Sequence, residues 1–230
     1  MRNYSLHISA YASLLALDGH GDAALAEVRS LYGVAHKLES NSRTLVRAMI
    51  AVTIQRTAIE TAVFVLDHAT VSPAAQAEFS TTLAAMNAPA GARRLLLIEH
   101  VGFTPLLVSL GSGLADTSYF GGKTTVWHYP LLAVNRLVVN PRATQNLIGE
   151  RFYELAALAG PRDLVRFMLR THEIERDFAG VHQPKNLGGR LLANLRNVRF
   201  DKIVTSYWET EDARLALLAR LKPYTAVASH

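Results

Sequence analysis

The chain has 230 residues, of which 50% are hydrophobic and none is cysteine. This length fits one large domain or two small ones. The absence of cysteine excludes disulfide bonds, thiolate catalysis and cysteine-ligated zinc. The net charge is +5, and the whole excess lies in the second half, because residues 1–110 carry eight basic and eight acidic residues whereas residues 111–230 carry sixteen and eleven. An acidic partner is therefore expected to bind the second half of the chain.

The N-terminal region predicts a helical hairpin. Helices are expected over residues 9–17 and 22–38, with the glycine-rich turn Asp18–Gly21 between them and Asp22 as the cap of the second helix. The hairpin resembles one helix-turn-helix unit of a tetratricopeptide-type repeat. No second copy follows at the period of about 34 residues, so a regular repeat array is not expected.

Residues 43–69 predict a central helix. They contain neither glycine nor proline and are apolar on almost every face, which is typical of a helix buried on all sides. Four polar residues interrupt this stretch at intervals too short for a membrane span, which needs about 20 predominantly apolar residues: Arg47, Gln55, Arg56 and Glu60. We therefore expect a core helix and no transmembrane segment.

Further helices are predicted by local signals. Ser72-Pro73 and Asn140-Pro141 each place a capping residue before a proline, which is typical of a helix start. These two helices are expected to end near residues 86 and 158, and another is predicted over 92–110. A further helix is expected after Gly160-Pro161 and reaches about residue 178, and one or two final helices are expected over 190–221. Residues 111–130 are expected to be a long irregular segment, in which 124–129 favour a strand.

The predicted fold is all-α. It is a single domain over residues 1–230, with about eight or nine helices packed around the central helix and an irregular, tetratricopeptide-like start. A subdivision into a helical core (1–110), the irregular segment (111–130) and a basic helical half (131–230) is the alternative organisation.

Basic residues provide the first candidate site. Arg162, Arg166 and Arg170 recur every four residues, so they are expected to form a stripe on one helix face. A further basic segment holds Lys185, Arg190, Arg196, Arg199 and Lys202. Such a face binds acidic proteins, headgroups or phosphates, although a solvated face with local ion pairs explains the same pattern. Nucleic acid is not an expected partner, because no nucleic-acid-binding fold is recognisable and aromatic residues are not interleaved with the basic run.

Polar and aromatic residues provide a second candidate site, a pocket between the central helix and residues 111–130. Its polar residues would be Arg56 and Glu60 on the central helix and the pair Glu99-His100 in an apolar helix. Its aromatic wall would be Trp127, His128 and Tyr129. Hydrogen-bonded structural pairs are the alternative interpretation of the polar residues.

Catalytic and metal motifs are incomplete. His172-Glu173 lacks the second histidine four residues on, where Arg176 stands. Residues 117–124 end like a phosphate-binding loop but begin with Thr117 rather than glycine. We expect no metal and no cofactor, and these gaps favour a protein that is not an enzyme.

Four stretches are similar to uncharacterised bacterial helical proteins in which an alanine- and leucine-rich helical domain follows an N-terminal membrane anchor. The similar stretches are LLALDGHGDAALAEVRSL, LVRAMIAVTIQRTAIETAVFVL, NPRATQNLIGERFYELAAL and NLGGRLLANL. The resemblance implies a helical domain at the periplasm or envelope if this chain is part of an anchored protein, and it implies no activity. Cytoplasm is the default expectation, because the first residues lack the pattern of a signal peptide.

Two functions are compatible with the sequence. The first is a helical binding or scaffold domain that recognises a protein or other acidic partner, with an envelope location implied by the resemblance. The second is an enzyme or small-ligand-binding protein that uses the pocket described above. The oligomeric state is open.

Overall fold

A computed structural model describes residues 2–85, 91–112, 140–179 and 200–225. These residues form helices and no strand, so the predicted all-α class is confirmed for this part of the chain. The eight helices are α1 (Arg2–Leu17), α2 (Gly21–Ser40), α3 (Leu45–His68), α4 (Pro73–Ala85), α5 (Gly91–Ser112), α6 (Pro141–Ala159), α7 (Leu164–Ala179) and α8 (Phe200–Thr225). The strand expected at 124–129 lies outside the described residues.

Side-chain caps define the starts of α3, α4 and α6. Ser72 Oγ accepts a hydrogen bond from Ala75 N at 3.2 Å, and Asn140 Oδ1 accepts one from Ala143 N at 3.0 Å. Both caps were predicted and are confirmed. Thr44 Oγ1 caps α3 in the same way, through Arg47 N at 3.3 Å. Each cap satisfies an amide of the first turn that has no partner within the helix.

Two local predictions at the N-terminal hairpin were wrong. α1 begins at Arg2 instead of residue 9. α2 begins at Gly21, with His20 at the cap position and no side-chain cap, whereas Asp22 Oδ1 accepts a hydrogen bond from Ser72 N at 2.7 Å. Asp22 therefore joins the start of α2 to the segment before α4, because a closer amide from another part of the chain competes for its carboxylate.

The chain divides into two compact units. Unit 1 comprises Met1–Gly91 and Thr205–His230, and unit 2 comprises Ala92–Val204. Unit 1 thus contains α1 to α4 together with most of α8. The single domain over residues 1–230 that the sequence predicts stays a prediction.

Unit 1 has a core rich in alanine. α1, α2 and α3 contact one another, and their facing surfaces carry small residues that are fully buried, such as Ala12, Ala24 and Ala58. Such small side chains let helices approach closely. Larger apolar side chains fill the rest of this core, including Phe79 of α4 and Leu217 of α8.

α3 contributes to that core along most of its length. Within the described residues it is the one helix whose length and apolar composition would suffice to cross a membrane, and half of its most apolar stretch is buried inside the protein. A buried core helix and a membrane span share these properties.

Unit 2 is built from α5, α6, α7 and the first residues of α8. Its buried apolar residues include Leu96 of α5, Leu155 of α6 and Phe167 of α7. The rings of Phe152 and Phe200 meet edge to face, with centroids 5.3 Å apart. α6 and α7 also contact each other directly, and this contact positions the groove described next.

Candidate functional site: the groove between α6 and α7

A groove of about 570 Å³ runs along α6 and α7 in unit 2. This volume lies within the range of ligand and peptide sites in proteins. The lining residues are Glu154, Leu158, Asp163, Val165, Arg166, Leu169, Arg170 and Glu173. The groove therefore combines aliphatic side chains with charges of both signs.

The turn between α6 and α7 sets the direction of α7. Arg162 lies in this turn with a φ of 59°, a left-handed conformation that is uncommon for residues other than glycine. Asp163 follows as the helix cap, and its Oδ1 accepts a hydrogen bond from Arg166 N at 3.0 Å. The cap orients the first turn of α7, which carries Val165 and Arg166.

An ion network fixes the wall of the groove. Arg170 contacts Glu154 through two hydrogen bonds, Nε to Oε1 at 2.5 Å and Nη2 to Oε2 at 3.1 Å. It also donates from Nη1 to Glu173 Oε2 at 2.9 Å. The hydrogen bonds that Arg170 donates to Glu154, and then the one to Glu173, raise the pKa of Arg170 above its ordinary value. Arg170 therefore joins α6 to α7, and each of its three guanidinium nitrogens already donates to a carboxylate.

Arg166 differs from Arg170 in this respect. Its guanidinium makes no hydrogen bond or ion pair with any residue in the described ranges, and the side chain is exposed. Val165 and Leu169 lie beside it, one helical turn apart, and are 69% and 63% exposed. The groove thus offers an available cation next to two uncovered aliphatic side chains.

The basic stripe expected from the sequence is correct only in part. Arg166 and Arg170 lie on α7, whereas Arg162 precedes the helix and does not belong to it. In the second basic segment, Lys202 is exposed on α8, and the other four residues lie outside the described residues: Lys185, Arg190, Arg196 and Arg199. Local pairing, the alternative interpretation, is confirmed for Arg170 and Glu173, while Glu154 was not predicted as a partner because it lies on a different helix.

The polar residues of the predicted pocket lie in different units. Arg56 and Glu60 belong to unit 1 and pair as their spacing predicted, with Nε to Oε1 at 3.0 Å. Arg56 also donates from Nη1 to Glu209 Oε2 at 2.9 Å, and these hydrogen bonds, that of Glu60 first, raise its pKa. All three side chains are exposed, so they form a surface network.

Glu99 and His100 belong to unit 2. Glu99 is buried, and the His100 ring lies among aromatic rings, with its centroid 5.8 Å from those of Phe152 and Tyr153. Gly149 faces the same ring, and a Cβ at this position would lie 3.4 Å from His100 Cε1. The third part of the pocket, Trp127, His128 and Tyr129, lies outside the described residues. The pocket therefore stays a prediction.

A buried polar cluster in unit 1 was not predicted as a group. Gln55 of α3 donates from Nε2 to Glu39 Oε2 of α2 at 2.7 Å. Arg214 of α8 contacts Glu211 through two hydrogen bonds, at 2.8 and 2.6 Å, and donates to the Leu83 carbonyl at 2.6 Å. The sequence signal was Gln55 alone, a polar residue on an apolar helix, since its partners are distant along the chain.

Two tyrosines complete this cluster. Burial, as the main cause, raises the pKa of both Tyr32 and Tyr207 above the ordinary range of a phenol. The space among these side chains measures about 10 Å³, which is about the room that one water molecule needs. The cluster therefore brings side chains of α2, α3 and α8 together around this space, and Arg214 joins α8 to α4.

Known proteins do not identify the chain. No protein family, no curated protein and no solved structure matches it. Within the described residues there is also no group of three or more metal-binding side chains. The function is therefore inferred from the geometry of the chain's own residues.

Proposed function

We propose that this chain is a helical binding domain whose groove between α6 and α7 takes an acidic, amphipathic helical segment of a partner protein. The observation that carries the proposal is the available guanidinium of Arg166 beside the exposed pair Val165 and Leu169. Helical segments dock into grooves of this kind through apolar side chains one turn apart.

The aliphatic residues supply the apolar part of the interaction. Val165 and Leu169 share one face of α7, and Leu158 of α6 lines the same groove. A partner helix that covers these side chains would remove them from water, which contributes about 25 cal/mol for each Å² of apolar surface. The network around Arg170 holds the groove in place before binding, so little ordering of the groove is required.

The charge of the partner follows from the groups that are still available. Glu154 and Glu173 accept hydrogen bonds from Arg170, and Asp163 accepts one from the backbone of α7. Arg166 is the cation of the groove whose donors are not used by these carboxylates. A guanidinium binds a carboxylate through two parallel hydrogen bonds, so an acidic residue in the partner fits this position.

The remainder of the chain is assigned a scaffold role in the same proposal. The α1–α2 hairpin would act as a tetratricopeptide-like unit, with α3 as the central helix of the scaffold. An envelope location rests on the resemblance to bacterial helical proteins.

The test uses two model peptides of about 18 residues, five helical turns each. Both have one leucine face, and the remaining positions are glutamate in one peptide and lysine in the other. Fluorescence anisotropy should show binding of the glutamate peptide and much weaker binding of the lysine peptide. Arg166→Glu should weaken binding of the glutamate peptide about tenfold or more, because hydrogen bonds to charged groups contribute about 1.5–3 kcal/mol.

Arg142→Glu is the matched control, because Arg142 is an exposed arginine in the first turn of α6 that does not line the groove. This variant should bind the glutamate peptide as the wild type does. Circular dichroism checks that both variants keep their helices. Equal binding of the two peptides, or unchanged binding by the Arg166→Glu variant, would show that the groove does not select an acidic partner.

A further inference from the structure

α1 is packed with its large apolar side chains outward. Within Arg2–Leu17, the residues that face α2 and α3 include Ser5, Ala12 and Ala16, all of which are buried. The large side chains Tyr4, Leu6, Tyr11, Leu14 and Leu17 are each 52–62% exposed. At about 100° per residue, these five side chains span an arc of roughly 160° on the helix surface. We call them the α1 outer face.

The α1 outer face lies at the upper end of the size range of exposed apolar patches on monomeric proteins. At about 200 Å² for a fully exposed side chain of this size, its five residues leave roughly 600 Å² of surface uncovered. The exposed polar residues Asn3 and His7 lie within the same arc, so the face is mostly but not wholly apolar. Isolated exposed apolar residues are normal on a protein surface, whereas apolar patches of several hundred Å² are often interaction sites. The small residues on the opposite side explain the arrangement, because alanine and serine are what allow α1 to lie close to α2 and α3.

We propose that the α1 outer face is the interface of a homodimer, in which α1 of one chain pairs with α1 of a second copy. Complete burial of two such faces would remove at most roughly 1,200 Å² from water, which is the lower bound of stable protein–protein interfaces. Two-fold pairing of one surface with itself is the commonest arrangement of soluble oligomers. Tyr4 and Tyr11 add a residue type that is enriched at the centres of such interfaces.

Charge favours a second copy over other occupants. Between Asn3 and Leu17, α1 contains no lysine, arginine, aspartate or glutamate, so two α1 helices can pair without bringing like charges together. A helix that lies on an anionic membrane surface normally carries lysine or arginine on its polar side, and this stretch has none. A strongly charged partner would likewise find no group of opposite charge.

Ala10 gives the interface its crossing point. It is exposed, lies within the same arc, and stands near the middle of α1. A small side chain at this position lets the two helix axes approach, in the same way as the alanines inside unit 1. The two copies of Ala10 are therefore expected to lie close to each other across the two-fold axis.

Sedimentation of the full chain over a range of concentrations tests the proposal. We expect a dimer for the wild type, and a dissociation constant raised roughly 100-fold or more by Leu14→Glu, since the carboxylate would be buried without a partner. Val101→Glu is the control, because Val101 of α5 is also exposed, at 67%, and lies in unit 2; this variant should remain a dimer. A wild-type chain that is monomeric at every concentration overturns the proposal, as does a dimer that Leu14→Glu leaves unchanged.

A cysteine cross-link provides a second readout that does not depend on tolerance of a buried charge. The chain contains no cysteine, so Ala10→Cys introduces a single thiol. Mild oxidation should link the Ala10→Cys chains into covalent dimers, and the Val101→Cys chain should stay monomeric on a non-reducing gel. Equal cross-linking of both variants would contradict the assigned interface. Binding of monomers through the α1 outer face to vesicles of neutral and anionic lipid would contradict it as well.

Discussion

Replacing Arg214 should destabilise unit 1 more than any exchange of an exposed arginine. Arg214 is 4% exposed, and Arg214→Met would remove its two hydrogen bonds to Glu211 and the one to the Leu83 carbonyl. The Glu211 carboxylate, itself largely buried, would lose its counter-ion. Breaking a buried ion pair by removing one partner costs about 3–5 kcal/mol. Because Glu211 keeps some contact with water, we expect the lower end, about 3 kcal/mol.

Thermal unfolding followed by circular dichroism measures this loss. For a chain of this size, each kcal/mol lowers Tm by about 2–4 °C, so the expected decrease is roughly 6–12 °C. Arg220→Met is the control on the same helix, because Arg220 forms an exposed pair with Asp67 at 2.8 Å. Exposed pairs contribute at most about 1 kcal/mol. Similar small losses for both variants would refute the inference that Arg214 joins α8 to the rest of unit 1.

A second variant separates the ion pair from the packing around it. Adding Glu211→Met to Arg214→Met removes the uncompensated carboxylate, and exchange of a whole buried ion pair for apolar residues is often close to neutral. The double variant should therefore recover part of the lost stability. A double variant that is less stable than Arg214→Met alone would show that Glu211 stabilises the fold through other contacts.

Two further predictions concern α2 and the buried tyrosines. Gly33→Ala should raise the free energy of unfolding by about 0.5–1 kcal/mol, since a Cβ there has open space and alanine favours a helix. Gly21→Ala should lower Tm, because its Cβ would overlap the Thr70 carbonyl. Equal effects of the two changes in thermal unfolding would contradict this reasoning. Burial raises the pKa of Tyr32 and Tyr207 in the folded state, so the unfolded chain loses these protons first as the pH rises. The free energy of unfolding should therefore be unaffected by these groups below about pH 10 and fall above it by up to about 1.4 kcal/mol per pH unit for each tyrosine. Urea unfolding at several alkaline pH values should show a smaller fall for Tyr32→Phe, and an unchanged fall would argue against burial of this hydroxyl.

Local patterns in the sequence predicted most of the secondary structure. The cap-and-proline pairs at Ser72 and Asn140 marked their helix starts, because a cap acts on amides only two or three residues away. Asp22 had an equally good local pattern, but Ser72 N from another part of the chain lies against its carboxylate. A local signal is therefore sufficient only where no residue that is distant along the chain competes for the same group.

In the candidate site, too, local sequence spacing predicted one feature and contacts between distant residues decided another. The spacing of Arg166 and Arg170 predicted that both would lie on one helix, and they do. The sequence did not distinguish between them, because Glu154, which engages Arg170, lies on α6. Which of the two arginines remains available to a partner depends on how α6 and α7 pack, and periodicity carries no information about that contact.

By itself, the sequence determined that the described part of the chain is helical, because apolar periodicity and capping act over one or two turns. Only the tertiary structure decided that most of α8 belongs to unit 1, together with the four helices from α1 to α4. Contacts such as that of Arg214 with Leu83, which are 131 positions apart, produce this arrangement. The tertiary structure also decided that α1 turns its large apolar side chains outward. Both features depend on which helices meet, and this is set by side-chain shape and pairing between residues that are far apart along the chain.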